Sequence, residues 1–141
     1  MDIFSKSKRS DVMSKISGKD TKPEILVRKY LFSKGFRYRK NAKDLPGKPD
    51  IVLPKYRTII FVHGCFWHGH EDCKKSNLPT TNTEFWRQKI ERNIERDKLN
   101  LINLNNKGWK VIIVWQCELK NAVVIDNRLI KLTSEITNPQ I

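Results

Sequence analysis

The stretch from Asp50 to Cys73 holds all three histidines of the chain (His63, His68, His70) and two of its three cysteines (Cys65, Cys73), while Cys117 lies far downstream. Three thiolates and one imidazole, from Cys65, His70, Cys73 and Cys117, match the closed tetrahedral donor set of structural zinc, and one late ligand tying a distant strand to a Cys-His loop is common in such sites. Inert core thiols are the alternative. His-Gly-His-Glu-Asp-Cys is a polar loop that a hydrophobic core would not use, which favours zinc. Asp50, His63 and His68 form a second set. Phosphodiester hydrolysis needs a hard cation held by carboxylate and carbonyl oxygens, and a base to deprotonate the attacking water; a carboxylate with a histidine supplies both. Taken alone, Asp50 serves equally well as a strand-start cap beside a zinc site that uses the histidines. Glu24 and Asp97, read by residue type, are helix-surface carboxylates. Phe66 and Trp67 inside the ligand loop, and Trp86 at the start of a Lys/Arg-rich segment, can stack on or wedge between bases, or can be ordinary core rings. Trp109 and Trp115 are assigned to the core.

These residues need a scaffold. Asp50 to Leu53 and Arg57 to His63 are apolar, β-branched runs separated by Pro54-Lys55-Tyr56, a pattern that predicts a hairpin folding Asp50 opposite Phe61 to His63. Ile59 to Val62 is apolar on both faces, as a central strand should be, and Trp109 to Trp115 is a third strand with Cys117 just past its end. A helix is predicted from about Lys22 to Ser33, with Thr21 as N-cap, Gly35 as the left-handed exit and Ile25, Leu26, Tyr30 and Leu31 as its buried stripe. A longer helix runs from Thr83 to about Asn105, stopped by Gly108, and a closing helix starts near Lys120. Phe36 to Arg39 alternates aromatic and basic residues like an edge strand; residues 44–49 and 74–82 read as loops. Residues 1–20 form a basic, Ser-rich arm or a disordered tail, with a short helix near 11–16 within its pattern, and residues 21–141 form one α/β domain.

With 28 Lys and Arg against 15 Asp and Glu, a net charge of +13 points to a polyanionic partner, nucleic acid foremost. No long uncharged apolar run and no secretory segment is visible, so no membrane partner is expected and the cytoplasm is the expected compartment. An odd cysteine count without a signal peptide argues against a disulfide framework.

Pro-Gly-Lys-Pro-Asp at 46–50, Phe-Val-His-Gly-Cys-Phe-Trp-His at 61–68, Thr-Glu-Phe-Trp at 83–86, Asn-Ile-Glu-Arg-Asp at 93–97 and Gly-Trp-Lys-Val-Ile-Ile-Val-Trp-Gln-Cys at 108–117 closely resemble the very short patch repair endonucleases of bacteria, in register over nearly the whole chain. The resemblance implies a restriction-endonuclease-like domain, a central mixed β-sheet flanked by helices with a structural zinc. It implies a magnesium-dependent enzyme that nicks double-stranded DNA beside the thymine of a T:G mismatch. By the same carry-over, Asp50 and the backbone carbonyl of Val62 bind magnesium, His68 activates water, and His63, Asp97 and Glu24 support the site. Phe66, Trp67 and Trp86 intercalate, with Met13 of the arm entering from the minor groove. A monomer is expected, with a functional link to a cytosine methyltransferase and to mismatch-repair proteins. The chain departs from the family pattern at Val62, where Thr is frequent, and at Gly69, in place of another His. The acid-any-Lys pattern of restriction enzymes is absent, since Ile60 to Val62 occupy that place, so a histidine-based mechanism is required. The competing functions are a zinc-stapled DNA-binding module without catalysis and a restriction-type or generalised nickase without mismatch specificity.

Overall fold

The computed structural model describes residues 22–138; Met13, the rest of the arm and the expected N-cap Thr21 lie outside the described residues. Helix α1 (Lys22–Ser33) ends where Gly35, at φ +89°, lets the Phe36 N–H reach the Leu31 carbonyl and the Gly35 N–H reach that of Phe32, both at 3.0 Å. This closing turn drives Phe36 into the core, leaving it 8% exposed. The edge strand expected at Phe36 to Arg39 is therefore shorter and later. Strand β1 is only Arg39–Lys40, because the residues before it are consumed in ending α1.

Strand β1 pairs antiparallel with β2 (Ile51–Leu53), and β2 pairs antiparallel with β3 (Thr58–His63) with Ile51 opposite Ile60. The expected turn between them is a single 3-10 turn, Pro54–Tyr56, left through Arg57 in the left-handed region at φ 51°. Helix α2 (Thr83–Asn106) crosses to β4 (Lys110–Trp115), which runs parallel to β3 with Thr58 beside Lys110 and His63 beside Trp115. The sheet is thus mixed, in the order β1-β2-β3-β4. Helix α3 (Ala122–Thr137) closes the chain, its first turn capped by the Asn121 side chain, which accepts from the Val124 N–H at 3.0 Å.

Strand alternation divides the core. Ile51, Leu53, Ile60, Val62, Ile112 and Val114 pack with Val27 and Leu31 of α1 and Leu129, Leu132 and Ile136 of α3. Val52, Ile59 and Phe61 pack on the other face with Leu104 of α2. On α1 the fully buried face is Glu24, Val27, Arg28 and Leu31; of the expected Ile25-Leu26-Tyr30-Leu31 stripe, Leu31 is in the core and Leu26 and Tyr30 pack against it half-buried. The helix is rotated so that a charged pair, Glu24 and Arg28 at 3.6 Å, goes under cover. No helix among the described residues is long and apolar enough to cross a membrane.

Candidate active site

Strands β3 and β4 end side by side, and the loop from Gly64 and the 3-10 turn Gln116–Leu119 spring from adjacent points at that end. Helix α2 passes the same end, and between it and the sheet lies a cleft of about 500 Å³, lined among others by Asp50, His63, His68, Arg96, Asp97 and Asn100. The hairpin delivers Asp50 there as its register requires: Oδ2 accepts from the Val62 N–H at 2.7 Å. Burial pushes the Asp50 carboxyl up to about 7, and the charge of Glu24 adds to the rise against the lowering effect of the Val62 N–H. Glu24 hydrogen-bonds Asp50 from α1 while pairing with Arg28. Far from being a surface carboxylate, it is 2% exposed.

His68 Nδ1 lies 2.7 Å from Asp97 Oδ2. A carboxylate can only accept, so Nδ1 carries the proton and Nε2 of a neutral His68 is left as the acceptor. The His68 ring stacks on His63 with centroids 3.7 Å apart and planes 3° from parallel. Burial, followed by the charge of His68, pulls His63 down to about 3, so it stays neutral wherever the protein works and does not repel a protonated His68. His63, His68 and Asp97 bring donor atoms within 4.8 Å of one another. Imidazole lone pairs lie in the ring plane, however, and no ion can lie in two parallel stacked planes at once; within the trio the hydrogen bond is that of His68 to Asp97, and His63 joins by stacking.

Beside it, Cys65, His70, Cys73 and Cys117 also place their donor atoms within 4.8 Å. Cys117 Sγ is 3.4 Å from His70 Nδ1, and the Cys117 N–H points at Cys65 Sγ at 3.4 Å. Burial, and then the neighbouring Cys65 and Cys73 thiols, push the Cys117 thiol up to about 12; a soft donor set of this composition fits zinc. The turn carrying Cys117 is held from behind: Glu118 accepts from the Trp115 N–H at 2.8 Å and meets the buried Arg128 at 3.2 Å, and Arg128 also bonds Glu135 at 2.8 Å.

Phe66, Trp67 and Trp86 form one group, with Trp67 edge-on to Phe66 at 5.2 Å and to Trp86 at 5.8 Å. Trp67 remains 44% exposed, which no core role requires, and the Lys89 ammonium lies 5.5 Å from its ring centroid. Asn93 of α2 donates to the Trp67 carbonyl at 2.8 Å and fixes the loop. Trp109 packs against the α2-side cluster with Arg57 over its ring at 4.3 Å, while Trp115 belongs to no core cluster. It lies face to face with His70 at 4.0 Å and edge-on to His63 at 5.2 Å. Its position in an apolar strand hid this, as helical pattern hid Glu24 and Arg28; the only available signal was that Trp115 stands two residues before Cys117.

A family model described as DNA mismatch endonuclease Vsr matches residues 1–75. The type II nicking enzyme V.NmeAIP of Neisseria meningitidis serogroup A is 58% identical over 96% of this chain and 96% of its own length. V.XorIIP, a type II nicking enzyme of Xanthomonas oryzae pv. oryzae, is 45% identical over 91% of this chain and 93% of its own. The DNA mismatch endonuclease Vsr of Escherichia coli is 43% identical over 84% of this chain and 76% of its own.

Proposed function

The chain belongs to the DNA mismatch endonuclease Vsr family, and from that premise we propose that this DNA endonuclease is magnesium-dependent and nicks one strand of duplex DNA beside the thymine of a T:G mismatch. The observation that carries the reading is a ring group made of the half-buried Phe66 and Trp86 and the exposed Trp67, two of whose members, Phe66 and Trp67, immediately precede His68, whose Nδ1 is held by Asp97. A wobble pair is displaced and weakly stacked, so inserting rings there is cheaper than at a matched pair, and deformation energy supplies discrimination before any base edge is read. Met13, outside the described residues, would enter from the minor groove.

In this reading His68 takes the proton of the attacking water at Nε2, and Asp97 stabilises the imidazolium that results. His63, neutral, gives His68 a flat surface that fixes its plane. Asp50 and Glu24, two carboxyl groups in a buried setting with Arg28 as the cation beside them, are a donor set short of positive charge, which suits a hard dication. Asp50 and the Val62 carbonyl would hold magnesium, which when bound neutralises charge at the phosphate. Cys65, His70, Cys73 and Cys117 would hold zinc. The enzyme would act as a monomer.

The test is digestion of matched and T:G-mismatched duplexes with and without magnesium, by the native enzyme and by Asp50→Ala and His68→Ala. Mismatch-directed, magnesium-dependent nicking that both variants lose while still binding the mismatch is expected. Equal cutting of matched DNA would instead indicate a generalised nickase, and retained cleavage by either variant would move the catalytic site.

A further inference from the structure

We infer that Trp115 is a positioning residue for the catalytic histidine pair, a spacer that sets the distance between the cysteine-rich metal loop and the base. The inference rests on the proposed roles of His63 and His68. Trp115 stands at the last position of β4, in register with His63 at the last position of β3. Its indole is pinned on two sides. One face lies on His70 at 4.0 Å with planes 9° apart, and His63 meets it at 5.2 Å and 74°. His63 in turn stacks on His68 at 3.7 Å, and His68 bonds Asp97 at 2.7 Å. Five side chains, His70, Trp115, His63, His68 and Asp97, thus form one continuous contact series from the sulfur-rich cluster to the cleft.

His68 and His70 are neighbours but one in sequence, yet reach this series at different places, so the loop wraps around the His63–Trp115 edge. His63 Nδ1 is buried without a hydrogen-bond partner among the described residues. Ring packing, therefore, and not a bond at that nitrogen, holds the His63 plane: His68 stacks on it, Trp115 meets it edge-on, and Phe61 lies 5.5 Å away at 46°. Backbone anchoring makes the spacer rigid: the Trp115 N–H is taken by Glu118, whose carboxylate is tied to Arg128. If the indole were removed, the His63 ring would be free to tilt into the space and the His68 plane would follow. A displacement of about 1 Å at a catalytic group can cost on the order of a hundredfold in rate without weakening substrate binding, because the contacts that bind and those that react are different.

The experiment compares zinc-loaded, full-length Trp115→Phe and Trp115→Leu with the native enzyme. Four readouts are taken: bound zinc per chain, affinity for a T:G duplex, the single-turnover nicking rate at saturating enzyme, and the imidazole NMR signals of the three histidines without DNA. For Trp115→Leu we expect full zinc and unchanged duplex affinity, a rate lower by roughly ten- to a hundredfold, and displaced signals from both His63 and His68. Trp115→Phe, which keeps an aromatic face, should recover most of the rate. A Leu variant that nicks within about threefold of the native rate, or one whose His68 signals do not move, overturns the inference. So does a loss of rate in both variants that only follows loss of zinc, since Trp115 would then act through the metal site alone. Should the native enzyme itself fail to nick T:G duplexes, the functional reading fails, and the histidine signals of the two variants still decide the role of Trp115.

Discussion

Replacing Asp50 by Asn should make the magnesium-free protein more stable at alkaline pH while removing its activity. Asp50 is 9% exposed and its carboxyl stands at about 7 in the folded chain instead of 3.8, chiefly through burial and then through Glu24. Below pH 4 the group is protonated whether the chain is folded or not, and its ionisation contributes nothing. Between pH 4 and 7 the unfolded chain ionises Asp50 and the folded chain does not, so native stability falls by about 1.4 kcal/mol per pH unit. Above pH 7 both forms are ionised and the penalty levels off at about 4 kcal/mol. An Asn at this place never ionises and keeps an oxygen for the Val62 N–H, so its advantage should grow from near nothing at pH 4 to that plateau by pH 8. For a chain of this size the plateau corresponds to roughly 15 °C in Tm. Urea unfolding of both proteins across this pH range, in buffer free of magnesium, measures it directly. An advantage that does not change with pH, or an Asn variant that is the less stable one at pH 8, would refute the burial argument. Magnesium added at pH 8 should then restore the native protein and leave the variant unmoved, because only the carboxylate can hold the ion.

Three further outcomes are expected. Trp67→Ala should slow nicking of T:G duplexes by at least about tenfold and narrow the gap to matched DNA, the effect of losing one stacking contact of roughly 1.4 kcal/mol; a variant that keeps its discrimination and merely unfolds sooner would return Trp67 to the core. Metal analysis should find about one tightly held zinc per chain, and Cys117→Ser should lose both the metal and much of the folded protein by circular dichroism. Gly69→His should destabilise the protein by about 1–3 kcal/mol in denaturant unfolding, because a Cβ at that position, where φ is +58°, would sit 2.6 Å from Ile94 Cδ1. Adding Ile94→Ala should recover part of the loss if the clash is the cause.

Those parts of the molecule governed by local pattern were legible in the sequence. Glycines 35 and 108 mark helix ends because each supplies a positive φ that a closing turn demands, and the β2–β3 hairpin follows from two β-branched runs around Pro54. Donor chemistry was legible too: three thiols and an imidazole cannot share a polar loop and one strand end without suggesting a metal. Orientation was not. Glu24 looks like any first-turn carboxylate until the rotation of α1 buries it against Asp50, and Trp115 looks like any strand aromatic until β4 is set parallel to β3 with His63 at its side. The stacking of His63 on His68 likewise depends on how a loop returns over a strand end, which no residue spacing encodes.

The gathering of Cys65 and Cys117 has a consequence for how the chain finds its fold. They are 52 positions apart, and the segment between them contains the whole of α2 and of β4. A parallel strand pair is slow to form because its connecting loop must close before any pairing compensates the lost chain entropy. A zinc ion held by Cys65, Cys73 and Cys117, as proposed, would close that same loop, an entropic burden of roughly 4 kcal/mol for a segment of this length. With the ends of β3 and β4 already joined, pairing can propagate from His63–Trp115 back toward Thr58–Lys110 as if the two strands were a hairpin. Zinc would then act as a topological short cut, converting the longest-range step of folding into a local one.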